Sequence, residues 1–180
     1  MLDFACYKKT MFVIQKITQR YDPEQDRIGL TTQNAKNQVL LLWLTQRLAN
    51  RLAGALARWL DEDLKTMTAG QSVFSLHAWE QSAARAQMKP GRPVDPSAAQ
   101  GEALLNAVDL ARGPNGYTLT FKWGSAGAAR LMLNPTELRQ WLGILHQMFD
   151  TAEWPKHAWP KWFGAGAESG APSTTQHLLH

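Results

Sequence analysis

Laid on itself with an offset of about 90 residues, the chain repeats one order of elements, and this constrains its fold more than any other feature. Each copy opens on an apolar-rich strand, Phe12 to Tyr21 in the first and Ala103 to Arg112 in the second. A turn follows, DPEQD in one and GPNG in the other, each with Pro beside turn-forming residues. An alternating strand comes next, with Ile28, Leu30 and Thr32 matching Tyr117, Leu119 and Phe121 on one face. A second turn of polar or small residues leads to a third strand, where Leu40, Leu42 and Leu44 match Ala129, Leu131 and Leu133.

The third strand runs directly into a helix in both copies. Thr45 is the N-cap of one and Asn134 of the other, where Pro135 and Glu137 complete a start signal. Leu48, Leu52, Leu56 and Trp59 mark the buried stripe of the first helix, and Leu138, Leu142 and Leu145 that of the second. The expected fold is α+β, two β-β-β-α repeats, each an antiparallel meander plus a helix, packed as a pseudo-symmetric pair by burying their open sheet faces. The first repeat takes residues 1–70, with 1–10 as an extension. A short helix and a Pro-rich linker take 71–100, the second repeat with a Trp/Pro/Lys strap takes 101–163, and a disordered tail takes 164–180. Val73, Leu76, Trp79 and Ala83 give the linker helix its apolar face. In architecture alone the unit resembles the two-repeat single-strand-binding folds of the PUR and Whirly type. Their repeats have an additional strand, none of their motifs is present, and likeness of fold does not fix function.

Chemistry is sparse. There is no phosphate-binding loop, no GxSxG elbow, no HExxH and no dinucleotide fingerprint, so the reading leans away from an enzyme. A single cysteine, Cys6, rules out an intrachain disulfide and multi-cysteine zinc sites. Together with an N-terminus lacking an apolar leader core, it points to a cytoplasmic protein. The densest apolar run, Val39 to Leu44, is too short to cross a bilayer. His177 and His180 sit in the tail, and His77 with Glu80 reads as a solvated polar pair. Asp61, Glu62 and Asp63 read as a solvated helix end, so no metal and no cofactor is expected.

Binding features are better represented. Arg47, Arg51, Arg58 and Lys65 fall within about 40° of one another on the first helix, a stripe that is either a solvated face or a track for phosphates. The segment WPKHAWPKWF cannot continue a helix because each Pro lacks an N–H and restricts its predecessor. Its Trp154, Trp159 and Trp162 either pack on the core or anchor a partner, with Lys156 and Lys161 beside them; Trp154 is expected to be the most buried and Trp162 to lie further out. The leading expectation is a non-enzymatic binding protein with a protein partner. The alternative is a single-stranded DNA- or RNA-binding protein that uses the basic helix face and the Trp/Lys strap.

Overall fold

The computed structural model describes residues 11–67, 72–89 and 91–163, with the side chains of residues 66 and 67 excepted. The extension 1–10 with Cys6, and the tail 164–180 with His177 and His180, lie outside the described residues. The chain is mixed α+β, a seven-stranded sheet with three α-helices. In order these are β1 (Phe12–Asp22), β2 (Arg27–Asn34), β3 (Val39–Thr45), α1 (Gln46–Met67), α2 (Val73–Ala86), β4 (Glu102–Leu104), β5 (Ala107–Gly113), β6 (Gly116–Trp123), β7 (Gly127–Leu133) and α3 (Pro135–Thr151).

β1, β2 and β3 form one antiparallel meander and β5, β6 and β7 another. The alternation read in the sequence sets their faces. Ile28, Leu30 and Thr32 of β2 are fully buried, as are Leu119 and Phe121 of β6, with Tyr117 nearly so. Both helix starts also form as their residues require. Thr45 Oγ1 accepts from the Leu48 N–H at 3.3 Å, and Asn134 makes a complete capping box with Glu137 behind Pro135.

The meanders do not close face to face, as expected from their open faces, but join edge to edge. Phe12, Val13 and Ile14 of β1 pair in parallel with Ala129, Arg130 and Leu131 of β7. At the far edge Glu102, Ala103 and Leu104 of β4 pair in parallel with Leu41, Leu42 and Trp43 of β3. The single strand expected over Ala103 to Arg112 is therefore two. Leu105 N–H donates to Trp43 O on β3, and the next residue, Asn106, donates to Lys122 O on β6. Consecutive residues thus bond opposite ends of the strand order β4-β3-β2-β1-β7-β6-β5, and the sheet curls until its two ends meet.

Each helix docks on the other meander's first hairpin. Trp59 of α1 stacks on Tyr117 at 6.0 Å, while Arg112 bonds Glu62 and Asp63 at 3.0 Å each. In return Gln19 of β1 donates to the Trp141 carbonyl of α3 at 3.1 Å. Trp154, just beyond α3, meets Tyr21 edge-on and donates from Nε1 to Asp26 at 2.7 Å. Apolar residues from both meanders and from α1 and α3 form one buried cluster. The linker crosses the outer side of the first meander, where buried Val94 donates its N–H to Thr18 Oγ1.

Because the ladders and helix contacts run between the halves, proteolytic cleavage within residues 91–97 should leave two fragments that co-elute on gel filtration. Elution as two separate folded pieces would show that each half stands alone.

Candidate functional site

The second helix, α2, lies over α1 and α3 with its polar face inward. His77, Glu80, Gln81 and Ala84 are spaced as one helical stripe, and His77 and Ala84 are buried. Of the expected apolar face, Val73, Leu76 and Ala83 are half-buried but Trp79 is 67% exposed, and Phe74 nearby is 48% exposed. The cause is Arg139 on α3, which is buried and needs acceptors. It bonds the Glu80 carboxylate and reaches His77 Nδ1 at 3.3 Å. Gln81 donates to the Arg139 carbonyl, and Gln140 to the carbonyl of Ala84.

His77 is therefore no solvated partner of Glu80. With Arg139 donating to Nδ1, the proton of the neutral ring sits on Nε2, which lies 2.8 Å from Asp61 Oδ1. The ring stacks flat on Trp162 with centroids 4.3 Å apart, and Trp162 Nε1 donates to the same Asp61 oxygen at 3.2 Å. Asp61, Glu62 and Asp63 are likewise not a free helix end. Asp61 serves His77 and Trp162, Glu62 serves Arg112, and Asp63 serves Arg112 and the Tyr117 hydroxyl. Burial, aided by the Arg139 charge, holds His77 below its ordinary pKa of 6.5, against the opposing pull of Asp61 and Glu80. Burial also raises the Tyr117 pKa, and the Asp63 carboxylate adds to that shift.

The strap places its aromatics against the core. Trp154, Trp159 and Trp162 are all buried, at 5%, 8% and 5% exposure, so Trp162 lies no further out than Trp154. Trp159 packs within 5.4 Å of His146, Phe149 and Phe163. Lys156 and Lys161 stay exposed, with Lys156 paired to Asp150.

Arg47, Arg51 and Arg58 are exposed on α1, and none has an ion-pair partner among the described residues. The strap crosses α1 beside them. Ala158 packs over Gly54, where an added Cβ would lie 3.7 Å away, and Trp162 bonds Asp61. At 100° per residue, positions 47, 51, 54, 58, 61 and 65 fall within about 80° of the helix surface. The basic stripe and the strap thus border each other. Sequence reading found both but not their adjacency, which depends on long-range contacts. It missed the buried polar network on α2, whose only sequence signal was the polar stripe 77, 80, 81.

No group of three or more His, Cys, Asp or Glu residues suited to a metal occurs among the described residues. No described helix is long and apolar enough to cross a membrane. Comparison with known protein families, curated proteins and solved structures gives no match.

Two outcomes follow from this packing. Trp154→Ala and Trp162→Ala should each cost about 3–5 kcal/mol in thermal or denaturant melts, the range for truncating packed aromatics. The second concerns pH. His77 is held neutral in the fold, so the unfolded chain takes up a proton near pH 6.5 that the folded chain refuses. Its contribution is complete above that value and is lost as pH falls toward the lower folded pKa; His146, also lowered by burial, acts in the same direction. The melting temperature should drop between about pH 7.5 and about pH 5, and His77→Gln should shrink that drop. An unchanged drop in the variant would remove His77 from the account.

Proposed function

We propose that this is a duplicated β-β-β-α protein that acts without catalysis, by binding a protein partner. The duplication is supported by the register. Arg27 and Gly116, which open β2 and β6, stand 89 apart, as do Gln46 and Pro135, which open α1 and α3. The bulge between Ile14 and Lys16 in β1 corresponds to the break at Leu105 and Asn106 between β4 and β5. In both copies the pairing changes there from a parallel ladder to an antiparallel one.

One observation carries the functional reading: α2 turns its polar stripe inward and leaves Phe74 and Trp79 in solvent. An indole two-thirds exposed leaves most of its apolar surface in water, whereas Trp is among the residues that dominate binding energy at protein interfaces. The partner would offer an apolar pocket for Trp79. Placing a photo-crosslinking amino acid at position 79 in cells tests this, with adducts identified by mass spectrometry. A discrete protein adduct is expected, competed away by the unmodified protein but not by its Trp79→Ala variant. That variant should melt within about 0.5 kcal/mol of the parent, as exposed substitutions do. No adduct, or a loss of several kcal/mol, would overturn the reading.

A further inference from the structure

The surface of α1 carries a second inference, independent of α2. All three carboxylates of this helix are engaged in contacts to other parts of the fold: Asp61 with His77 and Trp162, Glu62 with Arg112, Asp63 with Arg112 and Tyr117. Arg47, Arg51, Arg58 and Lys65 are all exposed, while Glu62, also exposed, is paired with Arg112. From Arg47 to Lys65 the row is about 27 Å long at 1.5 Å per residue. The strap meets this row at Gly54, between Arg51 and Arg58, and sets exposed Lys161 next to Trp162, which is bonded to Asp61 one turn beyond Arg58. The fold thus lays the strap beside this band, and each carboxylate of the helix is already engaged by a partner from elsewhere in the fold.

We infer that this band binds the phosphate backbone of nucleic acid without reading its sequence. Two observations favour that partner over an acidic protein. The three indoles of the strap are turned into the core, so the band offers none of the aromatic anchors on which protein interfaces concentrate their energy. The same burial removes a stacking platform for bases, which leaves charge as the source of affinity. Guanidinium groups, which supply three of the four helix cations, bond phosphate oxygens in a fork. A uniform polyanion in extended form meets such a row along its length, and release of its counterions drives binding.

The test is fluorescence anisotropy of the intact chain with a dye-labelled oligothymidylate of about 20 nucleotides and a mixed-sequence duplex, at salt from about 50 to about 200 mM. Binding should be measurable at the low end. For the single strand its log-log salt slope should be about −2 to −3, as expected for three or four phosphates. The triple variant Arg47→Gln, Arg51→Gln, Arg58→Gln should bind at least about tenfold more weakly with a shallower slope. Its side chains are exposed, and an unchanged melt would confirm that it folds. The equally charged variant Lys16→Gln, Arg20→Gln, Arg130→Gln, altered on the sheet, should bind like the parent. The inference fails if no oligonucleotide binds at low salt, if binding ignores salt, if both triple variants weaken binding alike, or if polyglutamate binds as tightly as DNA. None of these outcomes bears on Trp79 crosslinking, so the two readings stand or fall separately.

Discussion

Two parallel ladders of three residues each govern this structure. An unpaired sheet edge exposes a row of backbone donors and acceptors, and proteins must pair, cover or disrupt it. Here β1 gives its first three residues to β7 and most of its length to β2, while the segment of β4 and β5 divides itself between β3 and β6. Both ladders connect the halves of the chain, so neither meander can satisfy its own edge. The same exchange recurs in the side chains, with α1 docked on Arg112 and Tyr117, and α3 on Gln19 directly and on Tyr21 through Trp154. Strand pairing and helix docking therefore enforce one another.

The outer layer obeys a different rule. α2 is tied to α3 by hydrogen bonds and an ion pair at Arg139 and Gln140. A buried guanidinium is costly to desolvate, and the cost is offset only while its acceptors stay in place. Glu80, His77, Asp61 and Trp162 are linked through it and through one another, so removing one leaves its neighbours unsatisfied. That dependence fixes the rotation of α2 about its axis and thereby puts Phe74 and Trp79 outside.

What the sequence made legible is what short-range periodicity encodes. The alternation in Ile28, Leu30 and Thr32, the caps at Thr45 and Asn134, and the stripe Leu138, Leu142 and Leu145 all depend on neighbours a few residues away. Edges are different, since period two says which face a residue takes but not which strand lies beside it. The joining of Phe12 to Ala129 was hidden for that reason, as was the splitting of the strand around Leu105. The place of Trp79 on α2 was not legible because apolar spacing puts it with Val73, Leu76 and Ala83, whereas the buried charge of Arg139 on another helix draws the polar stripe inward. For the basic surface, both cation sets were visible as sequence. Their contact at Gly54 and Ala158 required the path of the strap.

The pairing of Phe12, Val13 and Ile14 with Ala129, Arg130 and Leu131 has a consequence for synthesis on the ribosome. Domains form from the N-terminal end as the chain emerges, yet the first residues of β1 have no partner until the last strand has left the exit tunnel. Throughout that interval one edge of the nascent meander is open, with Val13, at 40% exposure even in the finished fold, beside it. Closing so distant a contact is slow, because loop entropy is lost before the ladder repays it. The growing polypeptide must therefore be shielded or soluble enough to wait, and a premature stop anywhere before Ala129 would release a chain whose first strand is left as a template for aggregation.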